Sequence, residues 1–166
     1  MSGLSFEDAN PFHRFMRTFA ATRVGVAVLR PTAHHLDRLV TKVSGGRSSF
    51  AELATGVPVV MVTSTGARSG ASRTSAVYGI PHPDGLSLIA SNFGGAKHPA
   101  WYYNLKAKPM ITVEVGSQRF TALAAELDDP ARAELWPELV SRYPTVGEHQ
   151  ARTGRQIPVL MLTRQD

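Results

Sequence analysis

Apolar residues along this chain keep two different rhythms. In the first third they recur every three or four positions. Phe12, Phe15, Met16 and Phe19 form one such stripe, behind Asn10 as a suitable N-cap and Pro11 at the first helical position. Leu36, Leu39, Val40 and Val43 form another, in a helix predicted from Thr32 to a glycine stop at Gly45 and Gly46. From residue 57 the apolar positions gather instead into short runs rich in β-branched or aromatic residues: VPVVMVTS, RTSAVYGI, LSLIAS, MITVEV, QRFTALAAEL and IPVLMLT. Gly, Pro, Asp and Ser separate them. Six strands with connections mostly too short for helical crossovers predict largely antiparallel pairing. Helical text interrupts twice, at HPAWYYNLKA with Pro99 near its start and at DDPARAELWPELVSRY with Asp129 as cap and Pro130 at the first position. The predicted architecture is α+β: a small six-stranded sheet closed into a barrel over 49–166, with a helical segment over 1–48 packed on it, as a single domain.

Composition agrees with one core. The chain has 166 residues, 43% of them apolar, and a net charge of +5 with a pI near 10.0. That sign suits an anionic partner: nucleic acid, anionic lipid or a polyanionic small molecule. Cysteine is absent, which excludes disulfides and thiolate metal sites and suits a reducing cytosol. His34 and His35 are adjacent, so on a helix they face different ways and make no metal pair; no metal is expected. The apolar run VGVAVL is too short for a membrane span, and a cytoplasmic protein is expected. Arg14 and Arg17 on the polar face of the first helix offer one alternative to packing, a peripheral contact with an anionic membrane surface at the inner face of the cell membrane.

Two polar segments carry the candidate chemistry. TSTGARSGASRTS, residues 63–75, links the first two strands with glycines, hydroxyls, Arg68 and Arg73, the composition of an anion cradle. It lacks the spacing of a nucleotide-binding P-loop and leads from strand to strand, so a flexible polar hairpin is the plain alternative. The second segment, SNFGGAKHP, leaves a strand after Ser91, turns on Gly94 and Gly95, and enters a helix at Pro99 with Lys97 and His98 beside its positive end. Trp101, Asn104 and Leu105 then share one helix face. Packing alone accounts for the tryptophan, whereas Asn104 requires a hydrogen-bond partner, backbone or ligand.

TGARSGASRTS, ASNFGGAKHPAWYYNLKAKP and the later LWPELVSRYP and TGRQIPVLMLT together resemble the signatures of the deazaflavin (coenzyme F420)-dependent nitroreductase family of actinobacteria, in unbroken order over roughly residues 50–165. The resemblance implies a split β-barrel, non-covalent binding of reduced coenzyme F420, and hydride transfer from deazaflavin C5 to quinones, enones or nitroaromatics. It implies that Arg68, Ser69 and Arg73 hold the anionic part of the cofactor, that Tyr78, Ser91 and Asn92 lie near the ring, and that Trp101 and Asn104 belong to the PxWYxNL helix. Some relatives carry a lysine where this chain has Asn92, so that cationic contact is expected either to be missing here or to be moved to Lys97. Tyr143, Val146 and His149 fall at the substrate positions, and the last two stand where relatives active on nitroimidazoles carry tyrosines, which counts against that substrate. Ser91, or a backbone N–H near it, is the expected donor to the reacting region and Tyr143 or a water the expected proton donor, with packing the plain alternative for Tyr143. Two other readings compete: a split barrel that binds FMN or sequesters F420 without turnover, and a basic barrel that binds single-stranded nucleic acid, although no RNP-like aromatic signature is present.

Overall fold

In the computed structural model, which describes residues 58–83 and 85–165, β-strands follow the predicted runs, and those with one face in the core alternate buried and open positions. Strand β1 (Val59–Thr65) buries Val60, Val62 and Ser64 and turns Met61 outward. β4 (Met110–Val115) buries Ile111, Val113 and Val115, and β5 (Gln118–Glu126) buries only the small Ala122 and Ala124. β2 (Ser72–His82) is the longest, β3 (Gly85–Ile89) is covered on both faces, and β6 (Val159–Gln165) completes the set. All pairings are antiparallel, in the closed order β1-β2-β3-β6-β5-β4. The expected six-stranded split barrel is the fold. The helical segment expected over 1–48, and the membrane contact considered for it, lie outside the described residues.

Closure leaves two apolar clusters. One fills the barrel, with Val60, Val62, Leu88, Leu105, Val113 and Leu160 at its centre. The other lies outside the sheet, where Ile80, Val159, Leu139, Tyr143 and Val146 meet. Its cover comes from two helices, α2 (Asp129–Arg142) and α3 (Thr145–Arg152); the first helix, α1 (Ala100–Ala107), follows Pro99 and joins β3 to β4. Two details differ from the sequence expectation. Asp128, not Asp129, caps α2, its carboxylate accepting from the Ala131 amide at 2.9 Å, because Pro130 is accommodated at the second helical position as well as at the first. And α3 was not foreseen in TVGEHQAR, where Gly147 interrupts the helical composition; tertiary contacts carry it, with Val146 and His149 buried and Gly147 closing on Val140.

Candidate active site

At the junction of the two clusters the barrel opens into a cavity of about 270 Å³. Val59 of β1, and Ala76, Val77 and Tyr78 of β2, form its floor. Ile89, Ser91, Asn92 and Phe93 come from the end of β3 and the turn after it, Pro99 and Trp101 from α1, and Tyr143, Val146 and His149 from the α2–α3 corner. Tyr78, Ser91, Asn92, Trp101, Tyr143, Val146 and His149, singled out in the sequence across some seventy residues, are thus neighbours around one space. Tyr143 is buried against Tyr78, ring centroids 5.0 Å apart. Trp101 packs one side on the barrel core and gives the other to the cavity.

Arg68, Ser69, Arg73, Lys97 and Asn104 do not line that cavity. The first two occupy a tight turn between β1 and β2, closed by Gly66 N–H to Ala71 O and Gly70 N–H to Gly66 O, both 2.8 Å. Arg73 stands opposite Ser64 at the start of β2. Arg68, Arg73 and Lys97 are exposed, and neither arginine makes an ion pair among the described residues. The Asn104 side chain accepts from the Ala67 amide at 3.0 Å and donates to Ser64 Oγ at 3.4 Å. Its partner is therefore the arginine turn: α1 reaches the cavity through Trp101 and the turn through Asn104.

The cavity rim between β3 and α1 has an unusual backbone. Asn92, Phe93 and Gly94 are all left-handed, with φ of 48°, 57° and 76°. For a non-glycine residue that conformation costs about 1–2 kcal/mol, so two in succession persist only if the surroundings impose them. Here they do. Asn92 Nδ2 donates to Lys97 O at 2.9 Å, and the Gly94 and Gly95 amides bond back to Ser91 O and Asn92 O. Gly94 sits against α3 so closely that a Cβ would come within 2.8 Å of His149 O. From below, the Arg155 guanidinium donates to Ala90 O at 3.1 Å, Ser91 O at 2.9 Å, Gly95 O at 3.0 Å and His98 Nδ1 at 2.9 Å. Burial, and then the Arg155 charge, lower the His98 pKa, so this histidine is a neutral acceptor rather than a cation at the start of α1. Arg155 and Phe93 had not been singled out in the sequence. Arg155 lies sixty residues from its acceptors, and nothing in GRQ marks it; Phe93 carries one legible signal, an aromatic inside a glycine turn.

His149 is 5% exposed, and its Nδ1 has no hydrogen-bond partner among the described residues. Desolvation first, and the nearby Arg152 charge second, bring its pKa down to about 4, so it is a neutral imidazole at physiological pH. A second histidine forms a deceptive constellation. His82 Nε2 lies 2.9 Å from Ser87 Oγ and His82 Nδ1 lies 3.6 Å from Glu138, the connectivity of an acyl-transfer triad. Yet Ser87 is 0% exposed and its hydroxyl is also turned to Ile80 O at 3.4 Å, so no substrate carbonyl could approach it. That cluster ties α2 to the β2–β3 hairpin. Among the described residues, no group of three or more His, Asp or Glu side chains could hold a metal ion.

The family model described as F420H(2)-dependent quinone reductase matches residues 36–164. The chain is 33% identical over 147 residues to an F420H(2)-dependent quinone reductase of Mycobacterium tuberculosis, covering 85% of this chain and 93% of that one. Among solved structures it is similar to the F420-H2 dependent reductase FDR-A, at 36% identity and a TM-score of 0.58, over 63% of this chain and 93% of that one. It is also similar to a structure described as a domain-swapped dimer, at 31% identity and a TM-score of 0.59, over 83% and 98% of the two chains.

Proposed function

The chain belongs to the F420H2-dependent quinone reductase family, and we propose from that premise that its cavity seats the ring of reduced coenzyme F420 beside a quinone, the electron acceptor. The observation that supports this most is the convergence of Tyr78, Ser91, Trp101, Tyr143, Val146 and His149 on one largely apolar space with unpaired arginines at a distance from it. Five residues of β2 separate Arg73 from Tyr78, a span of about 17 Å. A ligand with a flat ring at one end and a string of anionic groups at the other suits that separation.

Bound in this way, the coenzyme supplies a hydride to the acceptor. The protein's own tasks are then positional and electrostatic. Trp101 offers a flat apolar wall and keeps water from the ring, while Arg68, Ser69 and Arg73, with Lys97, hold the anionic end through charge-assisted hydrogen bonds. Negative charge develops on the acceptor oxygen during reduction. In this reading Ser91 donates toward the reacting region and Tyr143 delivers the proton afterwards, which their shared place on the cavity lining supports; Tyr143→Phe should lower kcat with KM largely kept. Conjugated enones present the same carbonyl chemistry and are the second expected acceptor class. Nitroimidazoles are expected to be poor substrates, since Val146 and His149 replace the tyrosines associated with them. The nucleic-acid reading finds little support: Tyr102 donates its hydroxyl to Glu126 at 3.0 Å and stacks near His98, so these aromatics do not form an open strand platform.

The deciding experiment mixes the purified chain with reduced F420 and follows its reoxidation against menadione, cyclohexenone and a nitroimidazole. Turnover with menadione is expected. Tight F420 binding with no turnover would favour sequestration, and binding of FMN in its place would reject the cofactor assignment.

A further inference from the structure

Phe93 is 72% exposed, yet it stands on the wall of the cavity with its ring edge-on to His149 at a centroid distance of 5.9 Å. Its backbone is left-handed, a conformation that aromatic residues seldom adopt and that serves no packing end when the side chain remains in water. The turn is also not free to fold the ring away. Arg155 holds Ser91 O, Asn92 holds Lys97 O, and Gly94 is wedged against His149 O, so the ring is fixed outward at the rim. Among the described residues, the exposed face of this apolar ring is left uncovered.

Position decides which partner. The arginine turn is joined to α1 at Asn104, and Trp101 lies one helical turn nearer the cavity, so the cofactor's path runs from the turn toward Trp101. Phe93 meets the His149 ring of α3 on the cavity wall, whereas Arg68, Ser69 and Arg73 lie outside the cavity lining. Its ring is therefore set against what enters the cavity itself rather than against a tail held at the arginine turn. We propose that Phe93 is a specificity-determining contact for the electron acceptor, covering the second ring of a fused-ring quinone such as a naphthoquinone, with His149 beneath its edge. This rests on the reading of the cavity as a quinone site.

The test compares menadione, with two fused rings, with 1,4-benzoquinone, with one, in the full-length wild-type, Phe93→Ala and Phe93→Leu proteins. The alanine variant should raise KM for menadione by about two- to ten-fold, the range of an aromatic contact, with a smaller rise for benzoquinone. Leucine should recover part of the loss. The dissociation constant of reduced F420 should change less than about twofold, and the melting temperature should hold, because little ring area is buried and alanine keeps a Cβ on the same left-handed backbone. Equal KM changes for the two quinones would overturn the proposal, as would weakened F420 binding with unchanged quinone selectivity. If the wild-type protein reduces no quinone at all, the function reading fails by itself. Quenching of tryptophan emission by menadione then decides the point: it should be weaker in Phe93→Ala than in wild type, and equal quenching would sink the assignment.

Discussion

Among the described residues, His149 Nδ1 is the one buried side-chain nitrogen or oxygen without a hydrogen-bond partner. Leaving such an atom unpaired costs about 1–3 kcal/mol, which a leucine of similar size would avoid. The same burial sets a pH dependence. With a pKa of about 4 in the folded chain against an ordinary 6.5, the unfolded chain takes up the proton first as the pH falls. Stability present above pH 6.5 should therefore erode from 6.5 down to about 4, and level off below that for this group. His98, lowered for the same leading reason, adds in the same direction. Urea unfolding across that range should show the decline in wild type and a shallower one in His149→Leu. The leucine variant should be at least as stable as wild type at neutral pH while binding menadione less well; a variant that loses stability throughout would show the imidazole to be a packing residue. The sequence had marked His149 only by its place in a family pattern. That its nitrogen lacks a partner depends on α3 packing, which a single position cannot show.

At the level of elements, the site is braced by two residues outside the cavity lining. Arg155 gathers the carbonyls of the β3–α1 connection and Asn104 gathers the β1–β2 turn. Arg155→Lys should not substitute, since one ammonium cannot reach the five acceptors that the planar fork serves; its melting temperature should fall close to that of Arg155→Ala, and both should raise KM for quinone. Asn104→Ala should leave the fold intact and weaken reduced F420 binding a few-fold by loosening the turn beneath Arg68, as read by fluorescence titration. Gly94→Ala should cost more, about 1–3 kcal/mol, because its Cβ would meet a backbone oxygen of α3 and its φ is left-handed. The strands were legible because alternation of large β-branched residues is a local signal, and Pro99 and Pro130 marked two helices for the same reason. The α3 helix was not, since Val146 and His149 are its only strong burial cues and Gly147 argues against it. Nor was the Asp128 cap, because two adjacent aspartates before a proline are locally equivalent and only the formed helix distinguishes them.

For the whole molecule, the chain carries a net charge of +5, and Arg68, Arg73 and Lys97, proposed above to hold the coenzyme's anionic end, are exposed. Affinity for an oligoanionic coenzyme should then fall as ionic strength rises, since exposed charges more than about 10 Å apart are screened at 0.1 M salt. Arg73→Ala should weaken reduced F420 binding by about ten- to a hundred-fold at low salt, and by less at high salt. Unchanged affinity at low salt would remove Arg73 from the coenzyme site. The closed order of the sheet has another consequence. In that order β6, the last of the described strands in the chain, lies between β3 and β5. While the ribosome is still short of Val159, the emerging sheet has a missing stave, with the hydrogen-bonding edges of β3 and β5 both unpaired. Nascent chains stalled just before that point should be cut readily by added protease and bind chaperones, whereas chains released after Gln165 should resist both.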